Sequence, residues 1–173
     1  MAQTLVTAIL TDYSSTLGPH FAKYHNHACR VYKLSCTLLT PSDEQKYCLA
    51  VAAAFHDLGI WSHHTFDYLG PSEELAQTYL LQQGKAELIP AVLACIDLHH
   101  KLTPVKNNPL AEAFRQADLI DLSLGLFRFG ISPNLWRSLN RSFPKQGFHR
   151  FIAYKIVENI LKKPWNPLPI LKW

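Results

Sequence analysis

Ser42-Asp43-Glu44-Gln45-Lys46-Tyr47-Cys48-Leu49-Ala50-Val51-Ala52-Ala53-Ala54-Phe55-His56-Asp57-Leu58-Gly59 is the stretch from which the rest of the chain can be read. Thr40-Pro41 breaks the chain just before it. Ser42 with Gln45 three residues on forms a capping box, in which side chain and backbone satisfy each other's free hydrogen-bonding groups. Tyr47, Val51, Ala54, Phe55 and Leu58 recur at helical spacing and predict one buried face, with Gly59 as a natural stop. Ala50 to Ala54 are small and apolar, so neighbouring elements can pack closely there. The helix ends in His56-Asp57. A charged aspartate beside a core stripe is costly unless it is paired or binds a metal. Imidazole and carboxylate together suit Zn, Fe, Mn, Co or Ni. Standing alone, the pair would also read as a helix-end histidine and a solvated acid.

Working outward, a first helix begins near Val6 and ends at Gly18-Pro19. The next runs from about His20 to Leu39, with an apolar stripe of Phe21, Tyr24, Ala28, Val31, Leu34 and Leu38. His27 falls on that stripe, whereas His25 lies about 200° around the helix from it. His27 also reads as a core histidine bonded to a carbonyl. After the quoted stretch, a loop over Ile60–Pro71 precedes a helix capped by Ser72 and ended by Gly84. A helix from Pro90 to about Lys101 carries His99-His100 near its end. Asn108-Pro109 opens another, which runs to about Leu122. Its apolar face includes Asp118, with Asp121 one turn on and nearly as well placed. Gly125 to Pro133 is a connection, and Pro133 to about Asn140 reads as a short helix. A last helix covers about Gly147–Lys162. The proline-bearing tail Pro164–Trp173 should lie extended, its two tryptophans suggesting that it docks. No run alternates polar and apolar residues as a strand would. The pattern predicts an all-α bundle with its site built from facing helices.

The 173 residues fit a single domain over 1–173. A hydrophobic fraction of 48% and a charged fraction of 17% describe an ordinary globular chain. No apolar run approaches the roughly 20 residues of a membrane span. Met1 to Leu10 lack the basic flank and cleavage pattern of a secretion signal. The expectation is therefore a cytoplasmic protein. The formal net charge of +4 mildly favours anionic partners. The cations read as scattered, so a small phosphate-bearing molecule is expected rather than a membrane or a nucleic acid. Cys29, Cys36, Cys48 and Cys95 form no CxxC pair and read as buried, reduced thiols. Nine histidines are many for this length, and imidazole is the commonest metal ligand.

Taken in order, His27, then His56-Asp57, then Asp118 resemble the H…HD…D signature of the HD-domain metal phosphohydrolase superfamily. Asn26-His27-Ala28-Cys29-Arg30-Val31, Ala52 to Gly59, Ile96-Asp97-Leu98-His99-His100 and Ala117-Asp118-Leu119-Ile120-Asp121 are each similar to segments of that signature. The resemblance spans a motif core of about 20–125, outside which lie the C-terminal helix and tail at 147–173. It implies a compact multi-helical HD-domain bundle around a metal site. His27, His56, Asp57 and Asp118 would ligate a divalent ion: Mn, Fe, Zn, Co, Ni or Mg. It also implies hydrolysis of a phosphate mono- or diester, such as a nucleotide, by metal-activated water, with Asp57 in the catalytic set. Asp67 is a candidate general acid that equally suits a loop cap. Arg30, Lys101 and Arg115 are candidate phosphate contacts that also read as salt-bridging residues. His64, His99 and His100 are candidates for outer contacts or a second ion. One ion is expected, with His99 near it, because nothing in the sequence fixes the geometry of a second set. The alternatives are a two-metal oxygenase or hydratase, and a non-catalytic nucleotide-binding module. Ile60-Trp61 and the loop His63–Ser72 depart from the well-studied nucleotidases.

Overall fold

The capping box at Ser42 forms as the sequence predicts. Gln45 N–H donates to Ser42 Oγ (3.2 Å), and Ser42 N–H donates to Gln45 Oε1 (3.0 Å). The helix it opens is the centre of an all-α structure. The computed structural model describes residues 2–172, with side chains from residue 5 onward. Among these the α-helices are α1 (Ala2–Asp12), α2 (Ser14–Leu17), α3 (Phe21–Leu39), α4 (Asp43–Phe55), α5 (Gly59–Ser62), α6 (Leu69–Gln82), α7 (Ile89–Leu98), α8 (Pro109–Leu122), α9 (Pro133–Ser142) and α10 (Phe148–Lys162). No strand forms among the described residues, and the one isolated bridge joins Lys101 to Lys172. No described helix is long and apolar enough to cross a membrane.

Every residue of α4 from Cys48 to Phe55 is buried, because α1, α3, α6 and α7 all pack around it. This explains why its sequence is apolar on all sides rather than on one stripe. Leu49 and Phe55 are fully enclosed, each contributing about 1.5–3 kcal/mol by burial. Helix α3 lies along α8 and also packs on α4 and α1, so its buried stripe of Tyr24, Ala28, Val31 and Leu34 faces all three. Helix α7 bridges α6 and α8. The four cysteines are free thiols. Burial pushes Cys29 up to about 12, leaving it protonated and inert.

Several element boundaries differ from expectation for physical reasons. The first helix breaks at Tyr13, and Gly18–His20 then form a 3-10 turn. Gly59 does not end α4 through a left-handed cap. It begins α5, and glycine is needed because a Cβ there would lie 2.5 Å from the Tyr68 carbonyl and 2.9 Å from Ser72 Oγ. Ser72 is accordingly not an N-cap. It sits inside α6, fully buried, with its Oγ accepting Gly59 N–H (3.0 Å), so it pins the turn after Asp57. Helix α7 stops at Leu98, so His99 and His100 lie in the turn that follows. The tail docks through Leu168, Ile170 and Lys172, the last contacting Asp97, whereas Trp165 is 81% exposed. Trp173 lies outside the described residues.

Candidate metal centre

Three helices and one turn deliver six buried donors to one place. Helix α3 supplies His27, and the end of α4 supplies His56 and Asp57. The turn after α7 supplies His99 and His100, and α8 supplies Asp118. Of the six, only the His100 side chain is more than a few per cent exposed, at 12%, so the cluster is reached from its side. The phenol of Tyr24 sets the HD turn. Its hydroxyl donates to the Ala54 carbonyl (3.0 Å) and accepts Asp57 N–H (3.2 Å).

The hydrogen bonds of the imidazoles decide what their inner nitrogens can do. His27 Nδ1–H donates to Asp121 Oδ2 (2.6 Å), His56 Nδ1–H to the Ala53 carbonyl (3.0 Å) and His99 Nδ1–H to the Ile96 carbonyl (2.6 Å). Each ring thereby holds its Nε2 lone pair inward, as metal-binding histidines do when an oxygen fixes the tautomer. His27 Nε2 and His56 Nε2 lie 3.0 Å apart. Asp57 Oδ2 is 3.6 and 3.5 Å from these two nitrogens, and Asp118 Oδ1 is 3.4 and 3.8 Å from them. Two imidazole nitrogens this close, facing two carboxylates, make an arrangement that a shared proton or a metal cation resolves.

The outer oxygens of the same two carboxylates face a second pair of rings. Asp57 Oδ1 is 3.5 Å from His99 Nε2, and Asp118 Oδ2 is 3.7 Å from His100 Nδ1. His100 Nε2 lies 2.8 Å from Tyr68 Oη, and the tautomer that donates Nε2–H to the tyrosine leaves Nδ1 bare. Asp57 Oδ1, both Asp118 oxygens and His99 Nε2 are buried without a hydrogen-bond partner. Unpartnered buried polar atoms are rare, and four at one point fit a cation. The donors form two groups, His27, His56 and Asp118, and Asp57, His99 and His100, each within the span of one ion. The single-ion expectation rested on the lack of a fixed second set. The structure brings His99 and His100 beside Asp57 as a second group that could hold an ion.

The electrostatics match. Burial penalises both carboxylates, but the surrounding imidazoles override it and hold Asp57 and Asp118 below the usual range. Burial would lower His27, yet the nearby carboxylates of Asp118 and Asp121 raise it to about 9. Desolvation takes His56 down to about 4 and His100 to about 3, so both are neutral donors.

Asp121 nearly tied with Asp118 on periodicity, and the structure separates them. Asp121 stands behind His27 and accepts both Arg30 Nε–H (2.6 Å) and Nη2–H (2.8 Å). Arg30 Nη1–H donates to the Phe143 carbonyl (2.6 Å). The Arg30–Asp121–His27 chain went unrecognised, although Arg30 at His27 plus three on one helix face was its signal. His25 points away, its Nε2 lying 2.9 Å from Thr7 Oγ1.

Of the expected phosphate contacts, Arg30 and Arg115 are instead engaged by acids. Arg30 is fully buried on Asp121. Arg115 pairs bidentately with Glu112 (2.8 and 2.7 Å) and also donates to the Lys101 carbonyl. Lys101 Nζ donates to Thr103 Oγ1 (2.7 Å). Asp67 is exposed, with its N–H held by Thr65 Oγ1 (3.1 Å). His64 is exposed and lines a surface cleft with Lys155, Glu158 and Lys162, a lining that includes none of the six donors.

Helix α10 closes the far side. Phe148 stacks on His27 (centroids 4.0 Å) and Phe151 on Trp61 (5.2 Å), while Phe114 meets His56 edge-on (5.5 Å). Comparison of the chain with family models, with curated proteins and with solved structures gave no match.

Proposed function

We propose that the chain is a metal-dependent phosphohydrolase of the HD-domain kind, holding two divalent ions. The carrying observation is the convergence of His27 Nε2, His56 Nε2, Asp57 Oδ2 and Asp118 Oδ1, with the opposite oxygens of the same carboxylates turned to His99 and His100. Divalent ions there would supply Lewis acidity, ionising water near neutral pH and offsetting the charge of a phosphate ester. Asp121, anchored by Arg30, holds the His27 ring and its tautomer. Tyr24 and Ser72 fix the turn that aims Asp57. Phe114 and Phe148 keep water from the rear, so that substrate approaches on the His100 side. Since Arg30 and Arg115 are occupied elsewhere, the ions themselves would have to carry most of the phosphate recognition.

A second reading is a two-iron oxygenase. It is favoured by the four histidines that share two carboxylates, a nitrogen-rich set that suits iron. One experiment separates the readings. Protein saturated with manganese or with iron is desalted and assayed against a phosphomonoester and phosphodiester panel, and the iron form is also followed for oxygen uptake. Phosphate release that is lost in Asp57→Ala supports the first reading. Oxygen uptake without phosphate release supports the second. A chain that retains no metal sinks both.

A further inference from the structure

The C-terminal third differs in charge from the rest of the chain. Residues 122–173 carry nine lysines and arginines and a single acid, Glu158, whereas residues 1–121 carry eight against twelve acids. The cations are therefore concentrated rather than scattered, and the whole-chain value of +4 conceals it. Glu158 is itself flanked by Lys155 (2.9 Å) and Lys162 (2.7 Å), so this region presents a positive field.

Helix α10 lies in this region with its two faces unequal. Phe148 and Asn159 are buried, and Ile152 and Ile156 pack partly against the core. The opposite face carries Arg150, Tyr154, Val157 and Leu161, all exposed, with Leu161 at 79%. Beyond it, Trp165 stands 81% exposed on a fixed turn. Asn159 Nδ2 donates to the Asn166 and Pro167 carbonyls (3.2 and 2.8 Å), and Asn166 N–H to the Lys163 carbonyl (3.0 Å). The tryptophan is thus held outward by bonds on both sides of it, while the tail after it is docked.

We propose that this face of α10, with Trp165, binds an anionic lipid surface. An aliphatic and aromatic stripe edged by cations, on a helix whose other face is anchored in a folded protein, matches the chemistry of interfacial membrane attachment. A second copy of the chain is disfavoured as the occupant. Packing this face on itself would bring Arg150 and the flanking Lys162 against like charges, with Glu158 already paired. Nucleic acid would find cations here and two rings, Tyr154 and Trp165, to stack on, but the aliphatic Val157 and Leu161 between them offer it neither stacking nor hydrogen bonds and suit an acyl-chain boundary better. The inference is independent of the reaction at the metal centre.

The test is co-sedimentation of the full chain with vesicles of phosphatidylglycerol and phosphatidylcholine, against vesicles of phosphatidylcholine alone. The chain should bind the anionic vesicles and not the neutral ones, and salt should weaken the binding. Leu161→Glu should weaken it roughly tenfold or more. Arg150→Gln should weaken it about fivefold. Unchanged helical circular dichroism shows that these surface variants fold. No binding to anionic vesicles, or equal binding by Leu161→Glu, overturns the proposal. So does a dimer in sedimentation velocity that the same substitution dissociates, which would assign the face to a second copy. Binding of a single-stranded oligonucleotide but not of vesicles would also overturn it.

Discussion

On α8, Asp118 and Asp121 are buried beside Phe114 and Ala117, whereas on α10 Tyr154, Val157 and Leu161 stand in solvent beside Arg150. Both helices invert the ordinary amphipathic rule, and they do so differently. The acids of α8 are tolerated inside because each has an answer: Asp121 has Arg30 and His27, and Asp118 has donors arranged as they would be around a cation. The apolar face of α10 has no answering group in the described structure. Buried polar groups point inward to a ligand, and exposed apolar groups point outward to a surface.

The sharpest way to break this comparison is to remove the partner of a buried acid. Arg30→Ala leaves the enclosed Asp121 with His27 as its one remaining partner and should cost about 3 kcal/mol in urea unfolding, toward the lower end of what breaking a buried pair costs. A loss under about 1 kcal/mol would mean that the Arg30–Asp121 pair is not what holds α3 to α8. Next comes Asp121→Asn, which weakens the hold on the His27 ring. It should lower metal affinity about 10–100-fold in a metal titration, while the six donors remain. An unchanged affinity would assign Asp121 to Arg30 alone.

A comparable effect follows from pH. His27 is raised to about 9, and its proton must leave before Nε2 can bind a metal. Apparent affinity should therefore rise about tenfold per pH unit from 7 toward 9 and then level off. Metal-free stability should move the opposite way. The raised pKa contributes fully below the ordinary value of about 6.5, and that contribution is lost as pH rises through about 9. A flat affinity between pH 7 and 9 would contradict the assignment of His27 as a ligand. The smallest change is expected on α10. Leu161→Glu should leave unfolding within about 0.5 kcal/mol of the parent, since nothing packs on the side chain.

Where the sequence was legible, a single local rule governed. Ser42 and Gln45 specify the cap of α4 without tertiary help, and Asn108 likewise caps α8 through Ala111 N–H (3.1 Å). Helical phase separated His27 from His25 because the two rings leave α3 on different sides, His27 toward Asp121 of α8 and His25 toward Thr7 of α1. The motif order resembling HD-domain proteins named four donors that the fold does bring together. Legibility failed where two distant elements decide. Gly59 reads as a helix stop in sequence, yet its role comes from Tyr68 and Ser72 of another segment. Arg30 and Arg115 looked like phosphate contacts because an arginine near a metal motif has two uses. Only the positions of Asp121 and Glu112 show which one applies. His99 and His100 left the count of ions open, since the turn that aims them is set by the end of α7 and by Tyr68.

Metal stoichiometry tests the central claim most directly. Protein saturated with manganese or iron, desalted and analysed for elemental content should hold about two ions per chain, one for each donor group. His99→Ala should bring the value to about one, and Asp118→Ala should remove most of the metal. A chain that retains none, or one whose content is unchanged in Asp118→Ala, would contradict the account.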